Sequence, residues 1–100
     1  MKCIFSVFQD ESYSVVIEKN CAYIKYEDEI ESLDVCSRDC FNTLISLFSL
    51  KEGWVSEDCI NPIYIVEFFS DKGKEKYDFR SNVPSNFAFF SAFIYRLVGE

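Results

Sequence analysis

The sequence predicts an α+β domain: an antiparallel sheet of about five strands with two helices packed on one face, in the order β-β-β-(β)-α-β-β-α. Short runs rich in β-branched and aromatic residues follow one another across turns of a few residues, which favours antiparallel neighbours. Two stretches, 37–54 and 85–98, switch from a two-residue to a helical period. Residues 1–100 read as one domain, with no repeat, linker or low-complexity tract.

KCIFSVF (2–8) is β-rich, with Cys3, Phe5 and Val7 on one face and Ile4 and Phe8 on the other. QDES (9–12) is a polar turn. YSVVIEK (13–19) is the second strand, with Tyr13, Val15 and Ile17 on one face. Lys19-Asn20 makes a tight turn, since Asn tolerates the left-handed region. CAYIKY (21–26) is the third strand, Ala22 and Ile24 opposing Tyr23 and Lys25. YEDEIESLD (26–34) reads either as an acidic turn or as a turn plus a short fourth strand, Ile30 to Val35.

In SRDCFNTLISLFSLKEGW (37–54), Phe41, Leu44, Ile45 and Phe48 fit i, i+3, i+4, i+7, and Cys40 and Leu47 widen the stripe. Ser37 suits the N-cap, Asp39 the first turn, Lys51 the last turn and Gly53 the left-handed stop. VSEDCINP (55–62) is a loop. IYIVEFF (63–69) is apolar almost throughout, which predicts burial on both faces. Ser70-Asp71-Lys72-Gly73 is a hairpin loop. KEKYDFR (74–80) alternates, with Tyr77 and Phe79 inward and Lys74, Lys76 and Asp78 outward. Pro84 fits the first turn of a helix over 85–98, where its missing N–H is not needed. Phe87, Phe90, Ile94 and Leu97 line one side of it, Phe89 and Phe93 flank that side, and Gly99 ends it.

The chain is 49% hydrophobic and 18% aromatic, the balance of a globular domain whose small core is rich in rings. No apolar run approaches the ~20 residues of a membrane span, and the N-terminus lacks a signal-peptide cleavage site. The net charge is −7, and all of that excess lies in residues 1–60. With no basic stripe, direct nucleic-acid binding and anionic membrane surfaces are disfavoured.

The last 40 residues carry a recognisable pattern: Trp54, IYIVEFF, SDKGKEKYDF, then Asn82-Val83-Pro84-Ser85-Asn86-Phe87. This resembles small uncharacterised proteins encoded in Gram-positive bacterial and phage genomes, in which Gly-x-Asn-x-x-Pro-x-Asn-Phe recurs. Arg80 stands here where that Gly would be. The resemblance implies a strand–strand–helix unit and no activity.

The chain has no histidine, which removes Cys-His and Ser-His dyads and His-bearing zinc sites. Its three glycines, at 53, 73 and 99, form no phosphate loop. Cys3, Cys21, Cys36, Cys40 and Cys59 show no disulfide-scaffold spacing and read as reduced thiols in a cytoplasmic protein. Cys36 or Cys40 at a helix start is the best place for a low-pKa thiol. Cys21, Cys36, Cys40 and Cys59 lack the paired knuckles of a zinc site, and YEDEIESLD lacks the EF-hand frame, so no metal or cofactor is assigned. Glu67, in the most apolar strand, is expected at an edge or paired with Arg80 or Arg96. Trp54 is expected in the core.

These features read together as a non-enzymatic cytoplasmic protein that binds another protein, such as an acidic inhibitor or immunity-type protein facing a basic partner. The contact residues are Glu27, Asp28, Glu29, Glu31 and Asp34, with Asp10 and Glu11 or Glu57 and Asp58 as a rim. The alternative is a structural or regulatory domain that forms a homodimer through an exposed sheet face or edge.

Overall fold

The computed structural model describes residues 2–8, 12–33, 37–51, 54, 61–80 and 83–98. They form β1 (Lys2–Val7), β2 (Tyr13–Glu18), β3 (Ala22–Lys25), β4 (Ile30–Ser32), α1 (Ser37–Phe48), β5 (Tyr64–Ser70), β6 (Gly73–Phe79) and α2 (Ser85–Leu97). This is the α+β arrangement expected, with six strands because residues 30–32 do pair with β3. The sheet is antiparallel, in the order β4-β3-β2-β1-β5-β6. β1 to β4 are a meander, and β5 returns to the other side of β1.

Alternation along the strands sorts the side chains between two unlike faces. Phe5 lies between Val15 and Val66, and Cys3 between Ile17 and Phe68. These residues are buried under Phe41, Leu44 and Phe48 of α1 and Phe87, Phe90 and Ile94 of α2. Both helices therefore cover the same face. Rings fill this layer: Phe79 and Phe87 stand 4.0 Å apart, and Phe48 and Phe68 4.7 Å apart. Trp54 is in the core, edge-on to Phe48, Tyr77, Phe79, Phe87 and Phe90 at 5.4–5.7 Å. Its indole N–H donates to Asn86 Oδ1 at 3.0 Å, so the buried donor is satisfied and the tip of α2 is tied to Trp54.

The opposite face has no helix over it among the described residues. Burial of β5 on both faces is therefore corrected: Val66 and Phe68 are buried, whereas Ile65, Glu67 and Phe69 are half-buried on the open side. Glu67 is paired, but with Lys74 at 2.7 Å and not with Arg80 or Arg96. Lys2 and Lys74 lie 5.0 and 5.4 Å from the Phe69 ring centre, covering it with cations. Asp78 is on the outward side as expected, yet it is buried, with Lys76 Nζ 3.9 Å from Oδ1.

Several end positions shift. α1 stops at Phe48, so Lys51 lies beyond its last turn. There the Lys51 ammonium bonds both Glu75 carboxylate oxygens, at 2.9 and 2.8 Å, above the Phe48 ring. Burial lowers its pKa, but the hydrogen bond to Glu75 and the neighbouring Tyr77 and Glu75 outweigh this, and the net shift is upward. Pro84 is the N-cap of α2, with extended ψ of 152°, one position before the first turn. Ser37 is already helical and not the residue before the helix. Lys19-Asn20 makes the β2–β3 turn, closed by Glu18 N–H to Cys21 O at 2.8 Å, without a positive φ at Asn20. Of the α2 positions, Leu97 is only half-buried, and Phe89 is exposed. Gly53, Gly99, Val35 and most of the 9–12 turn lie outside the described residues.

Candidate protein-binding surface

The acidic stretch begins where β3 ends. Tyr26 N–H donates to Glu29 O at 2.8 Å, which leaves Glu27 and Asp28 as a two-residue turn. Neither takes a positive φ. The turn therefore lacks the mirror-image geometry that matches strand twist, and the pairing beyond it lasts only three residues. Sequence explains this, since no Gly or Asn stands at 27 or 28.

Register then fixes where each side chain goes. Glu31 is opposite Ile24, on the helix side of the sheet edge. Ile30 is opposite Lys25, on the open side, and is 67% exposed. Ile30 therefore does not anchor this segment to the core. Leu33 does so, half-buried against the core with its N–H on Ala22 O at 2.9 Å. Glu27, Asp28, Glu29 and Glu31 are all exposed, and none forms an ion pair with a described residue. Asp34 and the rim residues Asp10, Glu11, Glu57 and Asp58 lie outside the described residues.

Beside the turn is an open cleft of about 450 Å³ lined by Phe8, Tyr13, Ser14, Lys25, Tyr26 and Glu27. Phe8 is 48% exposed, and the Tyr13 and Tyr26 rings stand 6.3 Å apart. Deeper in, Tyr13 and Tyr64 approach Tyr95. Burial, then the Tyr64 hydrogen bond, raises the Tyr95 phenol above its usual range. This group holds α2 to the strand ends, and Tyr95 stays neutral.

The Cys3 and Cys21 thiols are both shifted away from the thiolate form. Burial pushes Cys3 up to about 12. Cys21 is exposed and donates to Glu18 at 3.4 Å, and that hydrogen bond, with burial and the carboxylate's charge, raises its pKa. Cys40 is half-buried, and Cys36 and Cys59 lie outside the described residues. No group of three metal-ligating side chains occurs among the described residues, and no helix there is long and apolar enough to cross a membrane.

Sequence reasoning missed two features. The exposed Ile30 follows from register, which a one-residue slip would reverse, so composition could not reveal it. The groove between the helices depends on which side of Phe89 the core lies. Compared with protein-family models, with curated proteins and with solved structures, the chain matches none.

Proposed function

We propose that this chain is a non-enzymatic protein-binding protein that docks its β3–β4 edge on a basic partner, in the manner of an acidic inhibitor or immunity-type protein. The observation that carries this reading is the run of exposed carboxylates at Glu27, Asp28, Glu29 and Glu31, none of them used in an ion pair with a described residue, with the exposed Ile30 on the open side of the same edge. Carboxylates speed encounter with a basic surface and fix register. The exposed Ile30 on the open side of the same edge gives an apolar contact that slows release. The aromatic cleft beside Glu27 offers further area, with Lys25 as the one opposing charge among its described lining residues. A basic nuclease or another nucleic-acid-handling enzyme has the surface this edge would fit, whereas nucleic acid itself would be repelled. Unbridged thiols at Cys3 and Cys21 support a reducing, cytoplasmic setting.

The alternative homodimer through the sheet has less support. The β6 edge carries Lys74 and Lys76, charges of the kind that block edge pairing, and the open face is dotted with lysines and carboxylates. Paired affinity capture from a bacterial lysate tests the proposal, with wild type and the Glu27→Gln/Asp28→Asn/Glu29→Gln/Glu31→Gln variant as baits. A basic protein held by wild type and lost by the variant is expected. Equal recovery on both baits would count against the acidic edge.

A further inference from the structure

We propose that β4 takes up an extended segment of the basic partner as a further, antiparallel strand of the sheet. Strand addition rests on the proposed docking of the acidic edge and adds how the partner is held. β4 is the last strand of the sheet among the described residues, and all of its residues are exposed. The alternation of the ladder decides which of its backbone groups are already used. Tyr26 N–H donates to Glu29 O and Leu33 N–H to Ala22 O, and Glu31, opposite Ile24, is in phase with these pairs. The N–H and C=O of Glu31 therefore face β3. Those of Ile30 and Ser32 face outward, about 7 Å apart along the edge. No described strand pairs with them, so a row of donors and acceptors stands open to a new strand.

Charge selects which strand can pair there. A second copy's acidic edge is repelled, because like charges across a strand pair are unfavourable. Side chains of an added strand alternate between the two faces. Every second one falls on the helix side, beside Glu31 and the in-phase Glu29, and the others fall on the open side, beside Ile30 and Ser32. The segment that fits therefore has Lys or Arg at alternate positions, facing the carboxylates, with an apolar residue between them against Ile30. The other edge of the sheet, β6, carries Lys74 and Lys76 with Glu75 and Asp78, a mixture that selects neither sign. β4 is only three residues long, so its backbone pairing is a short ladder that sets register, while the carboxylates draw the strand in.

The test is amide hydrogen exchange and titration of the full chain by NMR with a blocked peptide of alternating Lys and Val at about 1 mM. Exchange at the Ile30 and Ser32 amides is expected to slow about threefold or more. The same peptide N-methylated at its Val residues keeps its charge but loses the donors that an antiparallel partner turns toward β4. It should bind about tenfold more weakly and protect neither amide. Ser32→Pro removes an outward donor and no bond to β3, so it should keep the fold and lose the peptide. The Glu27→Gln/Asp28→Asn/Glu29→Gln/Glu31→Gln variant should also bind about tenfold more weakly. Equal binding of the two peptides, a bound peptide that leaves Ile30 and Ser32 unprotected, or no binding at about 1 mM overturns strand addition. If the neutralised variant still weakens binding in the first two cases, the acidic edge stands without it. Binding unchanged by neutralisation contradicts the acidic edge itself.

Discussion

The β3–β4 edge and the α1–α2 groove both expose large apolar side chains, yet their surroundings are opposite. Ile30 stands on the same edge as Glu27, Asp28, Glu29 and Glu31, while Phe89 and Leu50 share a hollow in which Arg96 is the one charged group among the described lining residues. The difference separates two kinds of surface. Carboxylates beside a small anchor make encounter fast and salt-sensitive. An apolar hollow with little charge makes contact slow to form and tolerant of salt. The acids at 27–31 lie at the β4 edge of the sheet, whereas the groove lies between the two helices and no acidic residue is among its described lining.

The comparison is sharpened most by the core beneath the groove. Phe87 is 1% exposed and meets Trp54, Phe79 and Phe90, whereas Phe89, two residues on, is 71% exposed. Phe87→Ala is expected to cost about 3–5 kcal/mol in urea denaturation, and Phe89→Ala about 0.5 kcal/mol or less. Comparable losses would mean that Phe89 belongs to the core and that the groove is not a free surface.

An alkaline titration probes the covered face in another way. Burial holds Cys3 near 12, from an ordinary 9.0. The folded state therefore keeps its proton where the unfolded chain releases it. Stability is full below pH 9 and falls as pH rises toward 12, by up to about 4 kcal/mol at ~1.4 kcal/mol per pH unit. Tyr95 shifts the same way and adds to the loss above its ordinary value of 10. Cys3→Val should shrink the slope between pH 9 and 12 in anaerobic thermal melts. An unchanged slope would contradict a buried thiol.

Smaller effects belong to the surface pairs. Lys51→Met is expected to cost about 0.5–1 kcal/mol, the worth of a half-exposed ion pair with a cation–π contact. Neutralising Glu27, Asp28, Glu29 and Glu31 should leave stability within about 0.5 kcal/mol of wild type, because no described cation depends on them.

Much of this was legible in the sequence. The faces of the first three strands, the helical stripes Phe41–Leu44–Phe48 and Phe87–Phe90–Ile94, and the place of Trp54 follow from periodicity and ring size. The acidic edge was legible as composition, but the exposure of Ile30 was not, since it turns on a register set by a tight turn. β5 misled because an apolar run does not say whether a second layer covers it. Here the open side of Ile65 and Phe69 is shielded by cross-strand neighbours and lysine stems. Phe89 sits one position outside the stripe, where sequence cannot tell a flank from an exposed ring.

The central claim rests on the acidic edge, and the most direct measurement is the association rate of a captured partner as ionic strength rises. For wild type the rate is predicted to fall about tenfold or more between low and physiological salt. For the Glu27→Gln/Asp28→Asn/Glu29→Gln/Glu31→Gln variant it is predicted to be slower at low salt and nearly flat. Equal rates with equal salt slopes for the two proteins would contradict the account.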